Sequence, residues 1–347
     1  MKVEIWGTYP PPIGGVSIHI MRFIHEVNKL NSNIVLKDFN GLDENEFDYI
    51  IKVKSKLNEF FALPFRSKML IHLHSNKFIV FVLLLIFGRK HKIGMTIHNK
   101  NLVKTSKGVK KKLTTLFLRR LDFIILNDPE YANQFTEAFK IDKLKTHVLP
   151  AYIKPLETER SKLPKKVLQF RQHKEFLISA NAFMLRFEEG VDIYGFDLLI
   201  DLVYALKKKD INVGLIFCLP QIGNQQYYGQ LCAIIKDKSL EKDILILQEK
   251  LPNAFQIWEA SDLFIRPTTT DIEGVSVKEA LDFNTPVIAS NVCKRPKEAV
   301  LFKSRDFEEL LSKTFELYKA SKAINKTPIS FNGEKITPKI LEIYLNS

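Results

Sequence analysis

The stretch Ile265 to Ser290 reads IRPTTTDIEGVSVKEALDFNTPVIAS. Leu263 to Ile265 make a short apolar strand, Pro267 and the threonines at 268–270 a polar loop, and Asp271 and Gly274 lead into a helix expected over Val275 to Phe283. A second strand, Val287 to Ala289, follows Pro286. Strand, loop, helix and strand in that order are the repeating unit of a parallel α/β sheet. Asp271 stands just before the helix and Glu279 four residues into it, so both can face a crevice at the carboxyl edge of the sheet, where open α/β folds bind ligands. The backbone N–H groups of Gly274, Val275 and Ser276 point the same way and form an anion site. The carboxylates beside it suit hydrogen bonds from hydroxyl groups. Taken alone, the stretch also fits a capped surface helix with Asp271 as a solvated loop charge.

Working outward, 347 residues suit two domains better than one, and a 46% hydrophobic fraction describes a globular chain with ample core. Cys218, Cys232 and Cys293 are far apart and odd in number, which suggests neither a disulfide framework nor a zinc site and fits a reducing cytosol. The N-terminus enters a strand at once, without the pattern of a signal peptide. The longest apolar run, Phe78 to Phe87, is about half of what spans a bilayer and reads as a buried core helix. A net charge of +13 asks for an anionic partner.

The chain opens with a strand, Val3 to Trp6, then Tyr9 to Ile18 (YPPPIGGVSI), then a helix from about Val16 to Leu30. Gly14 and Gly15 before that helix let backbone approach a bulky anion, although a simple tight turn explains them equally. Further strands are expected at Ile34 to Lys37, Met69 to His72, Lys92 to Ile97, Phe123 to Leu126 and Thr146 to Leu149. Helical patterns lie near Asp43 to Phe60, Lys77 to Phe87, Gly108 to Arg120 and Pro129 to Phe139. Ala151 to Lys174 reads as a linker, after which strands and helices alternate again to a last helix, Pro338 to Asn346.

With these residues in view, the chain resembles the retaining glycosyltransferases of family 4, of the bacterial surface-polysaccharide type. Pro267, Thr268, Asp271, Glu279, Ala280, Pro286, Val287, Ala289 and Ser290 match that family's signature in spacing, and YPPPIGGVSI looks like its Gly-Gly opening loop. The resemblance implies an α/β GT-B fold, two facing Rossmann-like domains with parallel sheets and a C-terminal helix crossing back to the first domain. It places an acceptor-side domain at 1–160 with helix 331–347, and a nucleotide-sugar domain at 161–330. It implies a nucleotide-diphosphate sugar as co-substrate, a glycan or lipid-linked acceptor, and no metal or other cofactor.

By the same resemblance His98, in MTIHN, contacts the transferred sugar, His74, in LHSNK, lines the acceptor side, Asp271 takes the donor sugar's hydroxyls and Glu279 the ribose. Gly14, Gly15 and Gly274 to Ser276 would face the diphosphate. Asp271 departs from the more usual Glu. A second departure is Tyr194, which stands before Gly195 where the family carries Lys, so Arg186 is the expected diphosphate cation. His72, His74 and His98 end predicted strands and could converge, but no Asp, Glu or Cys joins them at metal-ligand spacing. For His72 a core position bonded to backbone is the plain alternative.

From Arg89 through Arg120 no acidic residue interrupts the basic ones. Val109, Leu113, Leu116 and Phe117 form an apolar stripe there, and Lys110, Lys111, Lys112, Arg119 and Arg120 crowd the rest. This is either a solvated face or a surface for anionic lipid. The aromatic-and-basic motifs of nucleic-acid modules are missing. Two other readings remain beside a glycosyltransferase: a sugar-nucleotide 2-epimerase on the same fold, and a non-catalytic basic protein that binds membrane or nucleic acid.

Overall fold

The computed structural model describes residues 2–347 apart from 13, 31–32, 41–46, 189, 250, 252, 272, 323–330 and 332–334. The chain divides into two compact units, Met1–Ile153 with Glu334–Ser347, and Lys154–Gly333.

Unit 1 runs β1 (Val3–Gly7), α1 (Gly15–Lys29), β2 (Ile34–Asp38), β3 (Ile50–Lys52), α2 (Lys56–Ala62), β4 (Leu70–Leu73), α3 (Phe78–Phe87), β5 (Lys92–Ile97), α4 (Asn101–Thr105), α5 (Gly108–Arg120), β6 (Phe123–Leu126), α6 (Pro129–Phe139) and β7 (Thr146–Val148). The seven strands pair in the order β3-β2-β1-β4-β5-β6-β7, all parallel. Helices cover both faces, so the strands read as nearly continuous apolar runs. In α1, Ile20, Phe23, Ile24 and Val27 follow helical spacing and are fully buried. Asp128 caps α6 by accepting from the Tyr131 N–H at 2.6 Å, with Pro129 in the first turn.

Unit 2 runs α7 (Lys165–Gln172), β8 (Phe176–Asn181), β9 (Phe187–Glu188), β10 (Val191–Asp192), α8 (Phe196–Lys207), β11 (Val213–Cys218), α9 (Gln225–Asp237), β12 (Ile244–Leu247), α10 (Phe255–Glu259), β13 (Leu263–Arg266), α11 (Val275–Asp282), β14 (Val287–Ser290), β15 (Val300–Phe302) and α12 (Phe307–Ser321). Its six-stranded sheet is again all parallel, in the order β12-β11-β8-β13-β14-β15. A small antiparallel hairpin, β9 and β10, stands apart. The last helix, α13 (Ile336–Asn346), belongs to unit 1, where Ile336, Ile340, Ile343 and Tyr344 join the core of Ile5 and Phe23.

Three expectations change. Of the helix expected over Asp43 to Phe60, residues 43–46 lie outside the described residues and the rest contains β3 and α2. The helix begins only where Ser55 caps it, accepting from the Asn58 N–H. The stretch read as a linker, Ala151 to Lys174, contains α7, whose Val167 is buried in the core of unit 2. The Phe78 to Phe87 run is not a buried core helix: only Phe81 and Leu84 are buried, and Ile79 and Ile86 are more than half exposed.

In both sheets the chain winds outward from a central strand and then returns to that strand's other side. The order reverses between β1 and β4 in unit 1 and between β8 and β13 in unit 2. Crevices at such reversals, outside the carboxyl ends of the strands, are where doubly wound sheets hold ligands.

Candidate functional site

In unit 1 the reversal gathers imidazoles. His74 directly follows β4 and its N–H bonds the Trp6 carbonyl, so it stands beside the end of β1. His98 directly follows β5. The Nδ1 of His74 and the Nε2 of His98 are 2.9 Å apart. A third ring, His19 on α1, was missed in the sequence. Its centroid lies 5.1 Å from that of His98 and 5.7 Å from that of His74, and its Nδ1–H donates to the Ala151 carbonyl at 2.7 Å. The signal was its place one turn into the helix after Gly15, on the flank of Ile20 and Phe23 that meets the sheet. One nitrogen from each of His19, His74 and His98 lies within 4.8 Å of the others, a spacing that could hold a metal ion.

Burial keeps His74 and His98 neutral. It lowers the His74 and His98 pKa values well below the ordinary one, with neighbouring imidazoles adding to the effect. His72 is held at about 3 by burial and by His19. It is not bonded to backbone: Nδ1 pairs with the Tyr344 hydroxyl at 2.5 Å and Nε2 with the Thr96 hydroxyl at 2.8 Å. His72 therefore ties the last helix to the sheet. His74, expected to line an acceptor site, is buried beneath His98, whereas His98 keeps part of its surface open.

The Gly-Gly loop is divided in its roles. The Gly14 N–H is taken by Ser17 Oγ at 3.0 Å, which removes it as an anion donor. At Gly15 a Cβ would meet nothing within 4 Å.

In unit 2 the reversal gathers charge. Asn181 ends β8 and Arg266 ends β13. The Arg266 Nη1 donates to the carbonyl of Asn181 at 3.0 Å and to its side-chain oxygen at 3.1 Å, and Nε donates to Asp271 Oδ2 at 3.1 Å. Arg295, fully buried, donates to the same Asp271 oxygen at 2.9 Å. Burial alone would raise the Asp271 pKa, but the two guanidinium ions outweigh it and hold it below the usual value. Asp271 is thus not the solvated loop charge of the plain reading. Gly274, at φ +68, enters α11 where a Cβ would run into the Arg295 guanidinium. Ser276 Oγ donates to the Asn181 side-chain oxygen at 3.1 Å, which binds the first turn of α11 to the cluster. Val275 opens that helix.

Glu279 is buried, and its Oε2 accepts from the Trp258 indole at 3.2 Å. Tyr194 lies beneath Arg266, whose guanidinium carbon is 5.5 Å from the ring centroid. The next residue, Gly195, has φ +64, and a Cβ there would stand 2.7 Å from the Pro267 carbonyl. Arg186, the expected cation, is exposed just before β9 and makes no ion pair among the described residues. Sequence reasoning also missed Arg266 and Arg295. The legible signal for Arg266 was a charged residue ending an otherwise apolar strand of a parallel sheet.

The basic run is resolved in α5. Lys110, Lys111, Lys112 and Arg119 are exposed. Arg120 is not part of that surface, because its guanidinium donates to the carbonyls of Arg89 and His91, each at 2.8 Å. The apolar stripe is corrected as well: Thr114, Phe117 and Leu118 are buried, while Val109 and Leu116 are 72% and 57% exposed beside the lysines.

No curated protein matches the chain by sequence. Residues 172–307 match the family described as "Glycosyl transferases group 1". Among solved structures, HepE of Anabaena in complex with UDP and glucose is similar at 14% identity and a TM-score of 0.66, over 100% of this chain and 98% of that one. The catalytic domain of starch synthase IV from Arabidopsis thaliana, bound to ADP and acarbose, is similar at 11% identity and a TM-score of 0.70, over 100% and 99%. Sucrose-phosphate synthase from Thermosynechococcus elongatus gives 14% and 0.65, over 100% and 99%. Residues 172–307 thus match a glycosyl transferases group 1 domain, and the chain as a whole has the GT-B fold of the glycosyltransferase structures it is similar to.

Proposed function

We propose that the protein transfers a sugar, with retention at the anomeric carbon, from a nucleotide-diphosphate donor to a glycan or lipid-linked acceptor in bacterial capsule, exopolysaccharide or O-antigen synthesis. The observation that carries this reading is the polar cluster at the strand reversal of the domain that matches glycosyl transferases. HepE with UDP-glucose and starch synthase IV with ADP supply the analogy for a nucleotide-diphosphate donor.

Departure of the nucleotide diphosphate puts negative charge on phosphate and oxocarbenium-like charge on the sugar. Fixed N–H donors and cations aimed at the phosphate therefore lower the barrier. The N–H groups of Gly274, Val275 and Ser276 in unit 2, and separately that of Gly15 in unit 1, are the candidate donors, and Arg186 is the cation the sequence alone offers for the same task. Glu279, steadied by Trp258, takes the ribose hydroxyls. His98, neutral and partly open, is assigned to the transferred sugar, and His74 holds its ring. Asp271, whose Oδ2 holds both arginines, is assigned to the donor sugar's hydroxyls. No metal is required in this reading.

A work site on the cytoplasmic face of a membrane is part of the proposal. No helix among the described residues is long and apolar enough to cross a membrane. Exposed Val109 and Leu116, on the same helix as Lys110 to Lys112, favour peripheral contact with an anionic leaflet.

A thermal-shift screen against UDP, GDP, ADP and TDP sugars tests the reading. One base should stabilise the protein by about 2.7 kcal/mol at one hundred times its dissociation constant. Stabilisation by none of them counts against a donor site. Release of a free epimerised nucleotide sugar without acceptor would favour a 2-epimerase.

A further inference from the structure

We infer that Arg266 is the cation that receives the donor diphosphate in unit 2, a task the sequence assigned to Arg186. This rests on the donor reading above. Arg266 sits at the strand reversal itself, opposite Asn181. Its Nε and Nη1 are spent on Asp271 and Asn181, which fixes the plane of the guanidinium, and its Nη2 has no hydrogen-bond partner among the described residues. A second, independent feature is the sharing of one carboxylate oxygen. Arg266 and Arg295 both rest on Asp271 Oδ2, so two guanidinium charges face one carboxylate.

The supports around Arg266 are directional. The Tyr194 ring lies against one face of the guanidinium, a cation–π contact that holds it while desolvating it. Ser276, bonded to the same Asn181, brings the first turn of α11 alongside, so its N–H groups and Arg266 serve one anion. A planar fork held in this way matches two phosphate oxygens better than a flexible ammonium does. Arg186, by contrast, is exposed and has no ion-pair partner among the described residues. Tyr194 and Arg266 together therefore replace a lysine at 194: the ring occupies the position, and the cation comes from the neighbouring strand.

Titration calorimetry with inorganic pyrophosphate tests the site without reference to a base or sugar. Wild type should bind it, Arg266→Gln should bind about tenfold more weakly or not at all, and Arg186→Gln should match wild type within about twofold. Arg266→Lys keeps a charge against Asp271, so it should stay folded and bind with intermediate affinity. If melting shows that Arg266→Gln is unfolded, the Lys variant decides. Pyrophosphate binding unchanged in both Arg266 variants, loss on Arg186→Gln instead, or no binding by wild type would each overturn the assignment. Should Arg266 prove necessary for pyrophosphate while no nucleotide sugar is bound or consumed, the anion site stands and the donor reading falls.

Discussion

The indole N–H of Trp258 donates to Glu279 at 3.2 Å, inside the packing of α10 against α11. A carboxylate held by a buried indole donor is fixed in a set direction, which is what recognition of paired ribose hydroxyls demands. Glu279→Ala should weaken binding of the nucleotide diphosphate by roughly 1.5–3 kcal/mol for each charged hydrogen bond lost. Trp258→Phe should weaken it less, because the carboxylate stays and only its orientation relaxes. Calorimetric titration of both variants checks the order, and equal affinity in wild type and Glu279→Ala would remove Glu279 from the site.

The buried histidines make stability depend on pH in a definite sense. His72, His74 and His98 bind protons in the folded state only well below the ordinary histidine value, His72 at about 3. The unfolded chain binds them near 6.5, so between those limits the unfolded state holds more protons and folding loses stability as pH falls. The slope approaches about 1.4 kcal/mol per pH unit for each ring. Urea unfolding at pH 7.5 and pH 5.5 should show a marked loss at the lower pH, and His72→Phe should reduce that loss. A flat profile between the two pH values would mean that the rings are protonated or solvated in the folded protein.

Asp271 carries more of the fold than its place in a loop suggests. Removing a carboxylate that holds two guanidinium ions, one fully buried, leaves charge without compensation, at a cost of roughly 3–5 kcal/mol. Asp271→Ala should lower the unfolding midpoint sharply, and Asp271→Ala combined with Arg295→Met should recover part of it. Because the Asp271 pKa is depressed, its contribution is present above the ordinary carboxylate value and is lost as pH falls through the lower folded one. Denaturation midpoints of the single and double variants measure the effect. A single variant as stable as wild type would show that Arg295 finds its charge balance elsewhere.

Membrane attachment should combine charge and insertion. Lys110, Lys111, Lys112 and Arg119 supply the attraction, about 1 kcal/mol for each residue near an anionic surface, and the exposed Val109 and Leu116 enter the headgroup region between them. Flotation with anionic vesicles should be salt-sensitive, and should weaken both in a Lys110 to Lys112 charge reversal and in Val109→Ser with Leu116→Ser. Arg120→Gln should instead act on stability, through the carbonyls it holds. Equal flotation with neutral and anionic vesicles would sink the charge argument and leave α5 as a solvated face.

The alternating strands and helices were legible because period and punctuation coincide. Lys92 to Ile97, Phe123 to Leu126 and Gly108 to Arg120 fall where their patterns put them. The break between β3 and α2 was not, since Asp43 to Phe60 carries apolar residues at both periods and tertiary pairing with β2 decides it. Gly274 at the start of α11, Glu279 within its second turn, and His74 and His98 just past β4 and β5 stand where the element pattern puts them. Arg266 and Arg295 could not be read as a pair, because they are 29 residues apart and meet at the Asp271 oxygen they share. The stripe on α5 failed for a related reason: periodicity finds an apolar face but does not say whether protein or solvent covers it.

The most direct measurement of the central claim is a transfer assay by NMR with EDTA present, using the nucleotide sugar that stabilises the protein and a lipid-linked or glycan acceptor. The account predicts stoichiometric release of nucleoside diphosphate and a product with the donor's anomeric configuration, at a rate untouched by the chelator and lowered by Arg266→Gln and His98→Ala. A product of inverted configuration, a free epimerised nucleotide sugar, or turnover abolished by EDTA and restored by a divalent metal would contradict it.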